Sequence, residues 1–380
     1  MNSIIIILSL IVVLVLPDVY ILLGFMRGSG MVLKLLQLLP TILLFITLLL
    51  LSRYRSTTLF GLATFLILCI VLPKFLFMII SLVGQGLGLL WDRLFYALNF
   101  TALCVAIVVS LSMFYGMVIG WRQLSVKEVE LAFDDLPEAF DGYTVVHLSD
   151  LHVGTYGRKT AFLQKVVDKV NSLQPDLIVF TGDLVNLRSS EMDPFYNVLS
   201  QLQATDGIAS VLGNHDYGFY GDNYSGNPYD EGKKVAAEER SMGWQTLLNE
   251  HIFISRGNDS IAVIGVENTG KPPFPHIGDL GKAMKGVDST FSILLSHDPS
   301  HWRMEVLPKT DIPLTLSGHT HAAQFKICGW SPSKWLYDEW SGLYEEGGQK
   351  LFVSEGIGGT IPFRLGTKSQ IVKIMLRKTS

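Results

Sequence analysis

The chain has 380 residues and a formal net charge of −4; 49% of it is hydrophobic and only 17% charged. That balance is too apolar for a wholly water-soluble enzyme, so the apolar excess must be concentrated somewhere. Residues 1–121 carry Arg27, Lys34, Arg53, Arg55, Lys74 and Arg93 against Asp18 and Asp92, a net of +4, which leaves −8 for residues 122–380. An acidic C-terminal part argues against nonspecific binding to nucleic acid, which needs surplus Lys and Arg to displace counterions. Cys69, Cys104 and Cys328 outline no disulfide framework, as in a reducing compartment.

Taken in chain order, four apolar runs come first: Ile4–Phe25, Leu35–Leu51, Leu59–Val83 and Phe95–Trp121. Each is long enough to span about 30 Å of hydrocarbon as a helix. The first lacks the basic n-region and small-residue cleavage site of a signal peptide, and three more runs follow it. The expectation is a membrane domain over 1–121 with four transmembrane helices, and a second domain over 122–380. Four spans put the N-terminus, the 52–58 loop and the second domain on one side. Arg53, Arg55, Arg122 and Lys127 on that side outnumber Arg27, Lys34 and Arg93 on the other, so the positive-inside rule leans towards a cytoplasmic second domain in a multi-pass cell-membrane protein. Spans one and three each contain a Pro-charge step, Pro17-Asp18 and Pro73-Lys74. These spans run parallel, so two readings stand side by side: an Asp18–Lys74 ion pair between them, or a snorkelling Lys74 with the first run broken at Pro17.

After Trp121 the pattern changes. Val129, Leu131 and Phe133 alternate with polar residues, as in a half-buried strand. Then one design repeats. The β-rich run 143–148 leads into Asp150-Leu151-His152, and 176–180 into Gly182-Asp183-Leu184-Val185-Asn186. Likewise 208–212 leads into Gly213-Asn214-His215-Asp216, 291–295 into Ser296-His297-Asp298, and 312–316 into Gly318-His319-Thr320-His321. Phe162, Val166, Val170 and Leu173 recur at helical spacing between the first two runs, which makes a strand–helix–strand unit. Potential ligands thus gather at the carboxyl ends of strands, where open α/β sheets bind. Carboxylate, imidazole and amide oxygen together suit borderline-hard divalent ions such as manganese, iron or zinc. Two such ions about 3.5–4 Å apart can clamp a phosphoryl group.

These motifs, over about residues 140–325, resemble the calcineurin-like metallophosphoesterases. The resemblance implies an α/β fold, a four-layer α-β-β-α sandwich of two sheets flanked by helices, here preceded by an all-α transmembrane region of four helices. It implies two divalent metal ions, with manganese the first choice and iron or zinc next. Asp150, His152 and His321 would hold one ion, Asn214, His297 and His319 the other, and Asp183 would bridge them. His215 would face the substrate, stabilising the transition state or protonating the leaving oxygen, with Asp216 orienting it by accepting its second ring proton. Asn186 would support the site from behind the ligands. His147 is expected inside the first strand, and His251, His276 and His301 at the surface or in loops.

Two stretches bear on the substrate. The segment 217–230, rich in Tyr, Gly and Asn, is expected to form a rim or a plain surface loop. Trp330, Trp335, Trp340, Leu343 and Tyr344 follow the Gly-His-x-His motif and suit either a membrane interface or core packing. Gly342-Leu343-Tyr344-Glu345 and the Gly356–Gly359 run look like the membrane-attached subgroup, transmembrane proteins with a metallophosphoesterase domain. That subgroup is similar to the UDP-2,3-diacylglucosamine pyrophosphohydrolases of lipid A synthesis. The expected partners are therefore a lipid bilayer and an amphipathic phosphoester. The rivals are hydrolysis of another lipid, nucleotide or cell-envelope phosphoester, and a membrane assembly or transport component with an accessory phosphoesterase domain.

Overall fold

A computed structural model of the chain describes residues 3–54, 56–220, 228–287 and 289–379. It divides into two compact units, Met1–Ile119 and Gly120–Ser380.

The N-terminal unit is helical: α1 (Ser3–Gly24), α2 (Met31–Arg53), α3 (Thr57–Leu66), α4 (Leu72–Gly88) and α5 (Asp92–Val118). A π-helical turn, Ile67–Val71, joins α3 to α4, so the segment Thr57–Gly88 runs as one long helix. All four apolar runs lie in helices. Among the described residues, three helices are long and apolar enough to cross a membrane: Met31–Arg53, Thr57–Gly88 and Asp92–Arg122; Val12–Gly24 is a shorter apolar segment. Their outward side chains are apolar, which in hydrocarbon carries no penalty. Ser56 caps α3 by accepting the Leu59 N–H.

The expected ion pair is present. Lys74 Nζ lies 2.8 Å from Asp18 Oδ1, between α1 and α4, and Asp18 is 1% exposed. Gln37 of α2 adds an N–H to the same oxygen at 2.7 Å. The snorkelling alternative is set aside by the same contacts, since Lys74 also donates inward to the Gln37 carbonyl at 2.8 Å.

The second unit is built on two six-stranded sheets. Its strands are β1 (Leu124–Phe133), β2 (Thr144–Leu148), β3 (Leu177–Phe180), β4 (Ile208–Ser210), β5 (Gln245–Thr246), β6 (Glu250–Arg256), β7 (Asp259–Gly265), β8 (Ser292–Leu295), β9 (Leu314–Ser317), β10 (Gly342–Glu346), β11 (Gln349–Val353) and β12 (Ser369–Lys378). The first sheet runs β1-β12-β2-β3-β4-β5 and the second β10-β11-β9-β8-β7-β6. Strands β2 to β5 are parallel, as are β7, β8, β9 and β11.

Side-chain alternation sorts the cores. Val145, Leu177, Val179, Ala209 and Val211 from the first sheet share one buried cluster with Ile261, Val263, Ile293, Leu295, Leu314, Leu316 and Phe352 from the second. Their neighbours Val146, Ile178 and Phe180 point the other way. There they meet α6 (Ala161–Ser172), α7 (Tyr196–Leu199) and Val235 and Ala236 of α8 (Pro228–Ser241). Leu294, Leu351 and Val353 face a third cluster with Leu280, Trp302 and Val306. The central strands are buried on both faces, so they read as continuous apolar runs.

Candidate metal centre

The five motif groups leave β2, β3, β4, β8 and β9, three strands of one sheet and two of the other. The structure brings their polar ends together. Asp150, His152, Asp183 and His321 each offer a ligand atom within 4.8 Å of the others, and Asp183, His297 and His319 do the same. Asp183 belongs to both groups. Its Oδ2 lies 3.5 Å from His152 Nε2 and 3.2 Å from His297 Nε2. His321 Nε2 is 3.3 Å from Asp150 Oδ1 and 3.3 Å from His152 Nε2. Asn214 joins the second group through Oδ1, 3.1 Å from His297 Nε2, and His319 Nδ1 is 3.2 Å from the same nitrogen.

The backbone is strained to achieve this. Asp150, His152, Asp183, His319 and His321 all have positive φ, between 47° and 70°. Non-glycine residues hold such angles at a cost of about 1–3 kcal/mol each, and do so chiefly where function demands it. His321 opens four successive residues in this region, ending at Gln324. The turn is held from outside: Ser331 Oγ donates to the Ala322 carbonyl at 2.6 Å, and Gln324 Nε2 donates to the carbonyls of Ile361 and Phe363. Two glycines are required by close approach. A Cβ on Gly318 would collide with Ser149 Oγ and the Asp150 carboxylate, and one on Gly182, at φ 94°, would collide with the Gly213 backbone.

The protonation pattern fits bound cations. Burial pushes His152 and His321 down to about 3, and His319 is lowered by burial too, so these imidazoles are neutral at pH 7 and present lone pairs. Burial also disfavours charge on His297, but the Asp183 carboxylate outweighs it and lifts that ring to about 10. Four ring nitrogens and the Asp183 carboxylate face one another at 3.2–3.5 Å. Imidazole and carboxylate donors at this spacing fit divalent ions. His297 is oriented for the task by its Nδ1–H, which donates to the Thr181 carbonyl at 2.7 Å.

His215 touches this cluster differently. Its backbone N–H donates to Asp183 Oδ1 at 2.8 Å, and its ring stands edge-on to His152, 4.8 Å between centroids. The expectation that Asp216 orients the His215 ring is corrected here. His215 Nδ1 is 2.7 Å from the main-chain oxygen of Asn186. Asp216 is buried and accepts four backbone N–H groups, from Gly213, Asp183, Leu184 and Val185, at 2.8–3.1 Å. A carboxylate engaged four times by main chain has no lone pair left for a ring; it ties the ends of β3 and β4 together instead. Asn186 supports the site through its carbonyl, while its amide donates to Thr155 Oγ1 at 2.8 Å.

His147 sits in β2, fully buried, with Nε2 2.8 Å from Thr181 Oγ1, behind the His297 anchor. His301 is also corrected: it is buried, not at the surface, with Nδ1 2.9 Å from Ser296 Oγ. Sequence reasoning missed several residues. Tyr337 Oη is 2.7 Å from His319 Nε2, and Asp298 Oδ2 is 3.6 Å from the same atom. Tyr220 stacks on His215 at 4.4 Å and accepts from Asn214 Nδ2 at 3.0 Å; Phe274 packs edge-on against His319. Buried Arg364 donates to the main-chain oxygens of Glu355, Gly356 and Gly358, holding the strip that packs on Asp150. Asp298 carried a signal, being a carboxylate directly after a ligand histidine, and Tyr220 lies in the Tyr-rich segment 217–230 expected as a rim or a plain loop.

The tryptophan flank divides. Trp340 is half-buried under Lys326, whereas Trp335 and Leu336 are 76% and 73% exposed and Trp330 lies against Trp335. Half of the 217–230 segment, residues 221–227, lies outside the described residues.

The calcineurin-like phosphoesterase family model matches residues 143–323, the stretch that carries every one of these motif groups. The chain belongs to the calcineurin-like metallophosphoesterases. It is 31% identical over 277 residues to a transmembrane protein with metallophosphoesterase domain of Danio rerio, covering 70% of this chain and 60% of that one. The counterpart in Bos taurus is 31% identical over 290 residues, covering 73% and 62%. An uncharacterized metallophosphoesterase, YkuE, of Bacillus subtilis is 31% identical over 256 residues, covering 64% and 82%. The chain thus spans about three fifths of the first two relatives' length.

Proposed function

We propose that this chain is a membrane-bound, two-metal phosphoesterase that hydrolyses a phosphodiester or pyrophosphate bond of an amphipathic substrate. The observation that carries the reading is the convergence of Asp150, His152, His321 on one side of Asp183 and Asn214, His297, His319 on the other. In this reading the first three hold one divalent ion, the last three hold the second, and Asp183 bridges. Manganese, iron and zinc all suit the donor set. When bound, two such ions supply Lewis acidity and make water acidic enough to attack at neutral pH.

The chain's own residues do the rest. The Asn186 carbonyl can only accept, so His215 carries a proton on Nδ1 and exchanges the reaction's proton through Nε2. In this reading that nitrogen protonates the departing oxygen. The stacked Tyr220 fixes the plane of the His215 ring. Tyr337 Oη and Asp298 orient His319 from its far nitrogen. In the same reading the helices around the two sheets form the outer layers of a four-layer α-β-β-α sandwich, and α1 makes a fourth span beside the three longer helices. The loop charges, four against three, support a cytoplasmic catalytic unit, which protease protection in vesicles of known sidedness reads directly.

Exposed Trp335 and Leu336, three residues or fewer from the His319 partner Tyr337, support a lipid-like substrate. A UDP-2,3-diacylglucosamine pyrophosphate bond is one instance. Trp335→Ser combined with Leu336→Ser is expected to lower kcat/KM on a lipid-linked diphosphate by about tenfold, through lost apolar contact, and to leave a soluble aryl phosphodiester unchanged. Equal loss on both substrates would refute the lipid assignment.

A further inference from the structure

The N-terminal unit holds more polar chemistry than an anchor needs. Polar groups in hydrocarbon are costly, and ionisable ones there mark function. Lys74 uses two of its three N–H donors, on Asp18 Oδ1 and on the Gln37 carbonyl, both at 2.8 Å. No third acceptor is present among the described residues. Lys74 also lines a cavity of ≈ 700 Å³, within the range that small-molecule and lipid sites occupy.

The walls of that cavity are apolar: Ile21 and Phe25 from α1, Phe77 from α4, and Phe100, Leu103 and Ile107 from α5. Its other polar residues are occupied elsewhere. Asn99 Nδ2 donates to the Phe95 carbonyl at 2.7 Å and Asn99 Oδ1 accepts from Ser81, while Ser110 Oγ donates to the Cys69 carbonyl at 2.6 Å. Lys74 is left as the cavity's one cationic group, with donor capacity to spare. The π-helical turn Ile67–Val71 supplies Cys69 and Ile70 to the same wall. Such turns widen a helix locally and recur at functional sites.

We infer that this cavity binds one amphiphile, with its hydrocarbon chain along the aromatic and aliphatic wall and an anionic oxygen on the Lys74 ammonium. Asp18 stays paired on the opposite side of Lys74, so the ammonium is positioned and the head group meets its remaining N–H. Gln37 Oε1 and Asp18 Oδ2 are buried without partners. The site lies wholly within the N-terminal unit and shares no residue with the metal centre.

Native mass spectrometry of the full chain in detergent tests this, using 1-oleoyl lysophosphatidate and, as a neutral control, 1-oleoyl glycerol. One saturable adduct per chain is expected, with at least about tenfold preference for the lysophosphatidate. Ala106→Phe, which fills the cavity from α5 without touching the ion pair, is expected to remove the adduct. Ile107→Trp serves the same purpose if Ala106→Phe is not monodisperse. Lys74→Met alone strands a buried carboxylate and is expected to unfold early; Asp18→Asn with Lys74→Met restores much of that loss and binds both lipids alike. Equal binding of the two lipids by the unaltered chain, unsaturable adducts, or a filled cavity that still binds would overturn the inference.

Discussion

Asp183→Ala is expected to abolish loading of the metal pair and to lower turnover of a generic phosphodiester by about 10³-fold or more, roughly 4 kcal/mol of transition-state stabilisation. Asp183 is the one carboxylate that faces imidazoles of both groups, at 3.5 and 3.2 Å. Without it His152 and His297 lose their shared anion, and each half of the site loses negative charge that would hold a cation. Asp183 Oδ1 also accepts the His215 N–H, so the variant loosens the catalytic histidine as well. Asp183→Asn separates these effects. It keeps an acceptor for His215 but removes the negative charge that would hold the ions, so it should fold as the parent chain does and still lose most metal. Metal content measured on purified protein, beside turnover with manganese added, reads both. An Asp183→Ala chain that retains two ions and normal turnover would overturn the bridging assignment.

His215→Ala should behave in the opposite manner. The ring makes no contact in either ligand group beyond its edge against His152, and the backbone N–H that donates to Asp183 survives the substitution. Metal content is therefore expected to stay at two per chain. Turnover is expected to fall by about 10²–10⁴-fold, the range that loss of a positioned acid or base produces. The loss should be smaller for substrates with good leaving groups, such as an aryl phosphodiester, because these need less protonation. An equal loss across leaving groups would move His215 from proton transfer to charge stabilisation.

These two predictions rest on features with different visibility in the sequence. The ligand residues were legible because each follows a short apolar run, and chemistry restricts what can stand there. The pairing of those runs was not legible. Strands β2, β3 and β4 belong to one sheet and β8 and β9 to another, yet all are short apolar segments with the same period. Periodicity reports burial, not the sheet a strand joins. The edge strands β5 and β6 and the hairpin partner β10 carry weaker apolar patterns and passed unread, as did β7 and β11.

Asp216 shows the same boundary at the level of one side chain. Beside a catalytic histidine, a carboxylate suggests a ring partner. Only the fold reveals that four main-chain N–H groups from β3 and β4 ends already occupy it, and that the ring is held by the Asn186 carbonyl instead. Main-chain partners have no sequence signature, because every residue offers the same groups. Tyr337 and Arg364 were invisible for a related reason: they reach the centre from loops whose course is set by tertiary packing.

The membrane unit gives the converse case. Pro-charge steps at matching depth in two apolar runs made the Asp18–Lys74 pair one of two expectations, since an unpaired charge in hydrocarbon is costly, and the structure has the pair. What the residues could not convey was the cavity beside Lys74 or the π-helical turn that shapes its wall. By itself, then, the chain's chemistry determined which side chains hold metal-binding potential, which segments suit a bilayer, and which two charges could pair. Tertiary structure alone decided that ligands from two separate sheets converge on Asp183, which backbone atoms hold His215, and where space is left open. Composition and period are local properties, whereas convergence and empty volume depend on distances between residues far apart in the chain.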